Sequence, residues 1–217
     1  MSRHVKTSRE YDSSARRRQA EANRQAILDA AHEQFLTHGY AATRVPAIAR
    51  AAGVSTETVY KAFGPKHALV RALWERGLEG RQPVPAPERS DRLIATEQDP
   101  RTVLAGWARF SMELSPEGSP IVLLIRDAAA HDPDMTALLT EVEQQRRDRM
   151  HHNAERLAAR GWLKPGLTID RAADILWTYS SAELYELLVL KSNWPLAAYG
   201  DFISTALAAA LLDDNLR

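Results

Sequence analysis

The chain has 217 residues, no cysteine, 45% apolar residues and a formal net charge of zero. Such a composition suits a globular protein, and the missing thiols exclude a disulfide framework, a thiolate metal centre and a cysteine nucleophile. The neutral total hides an asymmetry, because residues 1–81 hold 14 Lys and Arg against 8 Asp and Glu while the remainder holds 14 against 20; a head that meets a polyanion and an ordinary solvated face both give such a count.

Residues 1–19 are polar and include Arg16, Arg17 and Arg18. They read as a flexible basic arm, and they lack the apolar stretch of a signal peptide. From about Asn23, Ile27, Leu28, Ala31, Phe35 and Leu36 recur at helical spacing, and Gly39 is a stop signal. Thr43 is the expected N-cap of a second helix, Arg44 to about Ala51, in which Pro46 falls in the tolerant first turn. Ala52 and Gly53 make a corner, and Ser55 caps a third helix to about Ala62. A fourth helix is predicted over Lys66–Glu79, followed by a loop at Pro83, Pro85 and Pro87.

The remainder reads as helical. Asp99–Pro100 opens a segment to about Leu114, Ser119–Pro120 one to about Ala130, and Asp132–Pro133 a long one to about Arg160. Thr168 or Asp170 starts a helix to about Leu190, and Pro195 precedes a last one to Leu212. No stretch alternates like a strand. The predicted fold is all-α, an N-terminal three-helix bundle joined to a larger helical domain. Its predicted parts are the arm 1–19, the bundle 20–66, a connector helix 67–80 and a body 81–217. Apolar runs such as Ile121–Ile125 and Leu207–Leu212 are too short to span a bilayer, so a soluble cytoplasmic protein without membrane contact is expected.

Helix, glycine corner and short polar-faced helix is the order of a helix-turn-helix, whose second helix enters the major groove. That role would fall to Ser55–Lys61. Thr56 and Thr58 have the hydroxyl and methyl groups to meet base edges, and Tyr60 and Lys61 have the reach to hold phosphate. Arg44 and Lys66 stand at helix starts, where backbone donors also favour phosphate. Each has a plainer reading. Tyr60 also suits a core, Arg16–Arg18 a solvated terminus, and Glu57 either faces cytosine amino groups or points away.

The segment ILDAAHEQFLTHGYAATRVPAIARAAGVSTETVYKAFGPKHALVRALW, within residues 23–74, resembles the DNA-binding domain of the TetR (tetracycline repressor) family. The resemblance rests on Ile27-Leu28-x-Ala30-Ala31-x-x-x-Phe35, on Gly39-Tyr40 and Thr43, and on Ile48-Ala49-x-x-Ala52-Gly53-Val54-Ser55. Val59-Tyr60-x-x-Phe63, Lys66 and Leu69 complete it. It implies that Thr43, Arg44, Ser55, Thr56, Thr58, Tyr60 and Lys66 are DNA-facing or phosphate-holding. Arg44 and Pro46 depart from the common pattern without disturbing its order.

The resemblance further implies a body that encloses a small-molecule pocket and dimerises through its last two long helices. The dimer face is expected at Leu184, Leu187, Leu188, Phe202, Ile203, Ala206, Leu207 and Ala210, though burial within one subunit is the alternative. Pocket candidates are Trp107, Phe110, Leu114, Arg126, Trp177, Ser181 and Tyr185. Trp107 and Phe110 also read as plain core, and Arg126 with Asp127 as an ion pair. No G-x-S-x-G, Walker A, dinucleotide glycine set or H-E-x-x-H is present. The adjacent His151 and His152 diverge on a helix, so no metal, cofactor or catalytic site is expected. The expected partners are a double-stranded DNA operator, a second copy of the chain and a small-molecule effector. The function expected is a ligand-responsive regulator, most simply a repressor released from a palindromic operator; a helical enzyme or interaction module with a basic head is the alternative.

Overall fold

The computed structural model describes residues 6–80 and 82–213, with side chains from residue 14 onward. Among these residues the fold is all-α, divided into a unit ending at Leu73 and a unit beginning at Trp74. The division falls inside the connector helix rather than at its ends.

The first unit is built from α1 (Lys6–Ala42), α2 (Val45–Ala51), α3 (Thr56–Phe63) and the start of α4 (Lys66–Glu79). Residues 6–19, expected as a flexible arm, continue α1; the first five residues lie outside the described ones. Helical geometry breaks at Gly39. Ile27, Ala31, Phe35, Ile48, Val59, Leu69 and Val70 are fully buried, so the helical spacing of apolar residues becomes one small core.

The second unit continues α4 and adds α5 (Ala86–Thr96), α6 (Pro100–Ala129), α7 (Pro133–Ala159), α8 (Ile169–Tyr179), α9 (Ala182–Tyr185) and α10 (Leu196–Leu211). A π-helical stretch, Glu186–Lys191, follows α9 directly. Asp99 and Asp132 cap α6 and α7 as expected, each accepting bonds from two backbone amides, with proline in the first turn.

Three expectations are corrected. The proline-rich stretch at 83–87 is only partly loop, because Ala86 and Pro87 already begin α5. The two segments predicted over 100–130 are one helix with Pro116 and Pro120 inside it. Each proline removes an amide donor, but α6 packs on both α7 and α10, and Ser119 is 7% exposed, buried within the helix and not a surface cap. The helix predicted to run to Leu190 stops at Tyr179, since Ser181 caps α9 by accepting from the Leu184 amide (3.2 Å).

Candidate nucleic-acid interface and internal cavity

The corner between α2 and α3 is set by backbone. Gly53 has φ +69°, the Gly53 amide donates to Arg50 O (3.2 Å) and the Val54 amide to Ala49 O (3.0 Å). This pair of bonds closes a helix through a left-handed residue, which glycine takes without a Cβ penalty. Ser55 then caps α3, its Oγ accepting from the Thr58 amide (3.1 Å). At the other end of α3, Arg24 donates to Ala62 O (3.2 Å) and its guanidinium lies 4.3 Å over the Phe63 ring. Both ends of α3 are therefore fixed before any partner arrives. Its outward side carries Glu57, Tyr60 and Lys61 exposed, with Thr56 and Thr58 half-buried; Tyr60 is 51% exposed, more than any other aromatic side chain among the described residues.

The second unit holds a cavity of about 340 Å³. The later part of α4 lines it with Trp74, Gly77 and Leu78, α6 with Trp107, Phe110 and Leu114, and α7 with Val142, Met150 and Asn153. Tyr179 of α8 and Ile203 and Leu207 of α10 complete the apolar wall. Arg146 and Arg149 also line it, but both are paired: Arg149 with Asp91 (2.8 Å) and Arg146 with Glu143 (2.9 Å). Desolvation pushes the Asp91 carboxyl up, and the bonds and charges of Arg149 and His152 outweigh it, so its pKa is lowered. Helices α4 and α6 meet closely, since a Cβ on Gly77 would lie 3.2 Å from Gly118 Cα.

A three-helix head with this corner and a hollow helical body can be set beside known proteins. Residues 27–73 match the family model described as bacterial regulatory proteins, tetR family. The match lies in the first unit and covers the helices on either side of the Gly53 corner. Solved structures share the fold. NalD of Pseudomonas aeruginosa, the secondary repressor of the MexAB-OprM multidrug efflux pump, superposes with TM-score 0.72 at 22% identity, covering 91% of this chain and 99% of that one. The complex of SmeT with triclosan gives 0.71 at 23% identity, covering 90% and 94%; SmeT is the repressor of the Stenotrophomonas maltophilia efflux pump SmeDEF. A protein from Saccharomonospora viridis in complex with choline gives 0.65 at 16% identity, covering 88% and 97%. No curated protein matches the chain.

Two of the residues expected to face DNA are engaged within the protein. Thr43 is 3% exposed, and its hydroxyl donates to Gly39 O (2.7 Å) and Gln34 O (3.0 Å), tying down the last turns of α1. It does not cap α2 either; Arg44 stands at that position without a side-chain cap bond. Lys66 donates to Tyr40 O (2.8 Å) and Thr43 O (3.3 Å), with its ammonium 4.0 Å over the Tyr40 ring. It caps the end of α1. Arg44, Ser55, Tyr60 and Lys61 are exposed, the Ser55 and Thr58 hydroxyls bond each other (2.8 Å), and Arg16, Arg17 and Arg18 are exposed on α1.

In the body, Trp107, Phe110 and Leu114 line the cavity, whereas Arg126, Trp177, Ser181 and Tyr185 do not. Arg126 pairs with Asp127, Glu183 and Glu186. Hydrogen bonds from Lys191, then from Arg126, hold the Glu186 carboxyl below its ordinary pKa. The guanidiniums of Arg146 and Arg147 lie over the Trp177 ring, 4.6 and 3.9 Å from its centroid. Ser181 is spent on its cap, and Tyr185 packs edge-on against the buried Tyr199 (5.5 Å). Sequence reasoning missed α4 and α7 as walls.

The expected dimer face divides in the same way. Ile203 and Leu207 are buried in the chain's own core, and Leu184 and Leu188 pack against it. Ala206 and Ala210 are half-buried, and Leu187 and Phe202 are exposed. Leu190 and Trp194, not anticipated, are exposed with them, Trp194 edge-on to Phe202 at 5.7 Å.

Proposed function

We propose that this chain is a DNA-binding transcriptional regulator of the TetR family, a homodimeric repressor whose grip on a pseudo-palindromic operator is loosened by a small molecule in the cavity of the second unit. One observation carries the reading: α4 starts beside the DNA-reading helices in sequence, and its later residues Trp74, Gly77 and Leu78 are cavity wall. A molecule in the cavity touches the helix that continues into the head. If the occupied cavity favours a different α4 position from the DNA-bound one, ligand and operator oppose each other by linkage. The site of action is wherever the operator DNA lies, the cytoplasm of a bacterial cell.

Two copies read successive groove turns about 34–36 Å apart. The face that would join them comprises Leu187, Leu190, Trp194 and Phe202, apolar side chains left exposed by the single chain. The relatives described as repressors, and the triclosan complex of one of them, support both the sign and the kind of control. The experiment is fluorescence anisotropy on a labelled operator duplex, with a library of small apolar compounds added. A compound that weakens operator binding, and loses its effect when Trp74 or Leu78 is replaced, supports the reading. Compounds that bind the protein and leave operator affinity unchanged contradict it.

A further inference from the structure

Three helices bring buried polar atoms without a hydrogen-bond partner to the wall of the same cavity, α5 and α6 one each and α7 two, Asn153 Oδ1 and Arg146 Nε. Ser90 on α5 is 5% exposed, Trp107 on α6 7% and Asn153 on α7 4%. Ser90 Oγ, Trp107 Nε1 and Asn153 Oδ1 each lack a partner, and all three residues line the cavity. Other polar wall residues are already engaged: Ser111 donates to Trp107 O (3.3 Å), and Ser180 to Trp177 O (3.1 Å). Buried polar groups are bonded in nearly all native structures, so a cluster of exceptions on one wall calls for a partner. The indole N–H only donates, the amide oxygen only accepts and the hydroxyl does either. A single hydroxyl group on a guest can accept from one and donate to another.

Charge narrows the guest further. No Asp or Glu is among the described residues lining the cavity, whereas Arg146 and Arg149 are. A cation would meet two guanidiniums and no counter-charge. Arg146 Nε has no partner of its own, but Glu143 at 2.9 Å already matches the Arg146 charge and Asp91 at 2.8 Å that of Arg149, so an anion would compete with both carboxylates. The volume sits near the small end of the roughly 300–1,000 Å³ usual for ligand sites, and the wall is mainly aromatic and aliphatic, with Ser115, Ser119 and Gln145 as its further polar residues. We infer that the effector is a compact, electrically neutral, mainly aromatic molecule carrying a hydroxyl group, held by Trp107 Nε1, Asn153 Oδ1 and Ser90 Oγ. This rests on the reading of the cavity as an effector site.

The probes are 2-naphthol, naphthalene, 2-naphthoate and a naphthylmethyl-trimethylammonium salt, titrated calorimetrically into the full chain at neutral pH. The expected order puts 2-naphthol first, about tenfold tighter than naphthalene, as one satisfied buried bond allows. Trp107→Phe and Asn153→Leu should each abolish that preference while naphthalene binding persists. Asn153→Leu should also leave the melting temperature unchanged or raised, because it removes an orphaned acceptor. Equal binding of naphthol and naphthalene, preference for either ion, no binding by any probe, or a preference that survives both substitutions would overturn the inference. So would a sharp loss of stability in Asn153→Leu, which would mark the amide as internally bonded. Operator release by the same probes separates the two readings. Release by naphthalene or the cation alone defeats the neutral-hydroxyl assignment and leaves ligand control standing. Tight, hydroxyl-dependent binding without release keeps the assignment and defeats ligand control.

Discussion

Lys66 offers a sharp test, because the sequence placed it on phosphate and the structure places it on protein. Lys66→Met keeps the stem and removes the ammonium. Two charge-assisted bonds, at 2.8 and 3.3 Å, and a contact 4.0 Å over the Tyr40 ring are lost. Bonds from charged donors contribute about 1.5–3 kcal/mol each, the longer at the weak end, and an exposed cation–π contact about 0.5–1 kcal/mol. Ordering the lysine stem offsets up to about 2 kcal/mol. The net expected loss is about 2–3 kcal/mol in the first unit, or roughly 30- to 150-fold faster amide exchange in α2 and α3 if these open together. Hydrogen exchange read by mass spectrometry measures it segment by segment. The contrary result is unchanged exchange in α2 and α3 with a slope of log K against log salt that falls by about 1, as loss of one phosphate contact would give. That pair would show Lys66 holding DNA, and the account of α1 capping would be wrong.

Five further outcomes are expected. Tyr60→Ala should weaken operator binding about tenfold, as loss of an anchoring contact of roughly 1–2 kcal/mol would, and leave melting unchanged, because the ring is exposed. Gly77→Ala should destabilise the second unit by about 1–2 kcal/mol through crowding on α6. Gly118→Ala, whose methyl meets nothing within 4 Å, should gain up to about 1 kcal/mol in chemical denaturation. Asp91→Asn should melt lower than the parent at pH 7, and the gap should close as pH falls below about 4: a lowered carboxylate pKa gives stability present above the unfolded value and lost as pH falls through the folded one. Leu187→Glu with Phe202→Glu should convert dimer to monomer by light scattering, since both side chains are exposed on the single chain.

The head was legible because its signals are local. Apolar spacing in α1, Gly53 at the corner and Ser55 as a cap each act within a few residues, and α2, α3 and α4 lie within one residue or so of the predicted bounds. What misled was tertiary. Thr43 looks like a cap in sequence, but its hydroxyl turns back to α1, and Lys66 reaches 26 residues back to Tyr40. In the body, Ser119–Pro120 reads as the start of a new helix, yet α6 runs through it, and through Pro116, because its neighbours hold it. Helix α5 escaped because its buried positions, Ala86, Ser90 and Ile94, are mostly small or polar. Trp107, Phe110 and Leu114, expected as pocket candidates, line the cavity, whereas Asn153 gives no sign in sequence that it is 4% exposed with an orphaned oxygen.

The central claim is that two Ser55–Lys61 helices read DNA sequence. Selection from random duplex DNA by the full chain tests it most directly, followed by titration of the winner with the Thr56→Ala, Tyr60→Ala double variant. The account predicts a two-fold symmetric motif with half-sites about one helical turn apart, and a large loss of affinity in the variant. A pool that stays random, or a motif bound equally well by the variant, would contradict it.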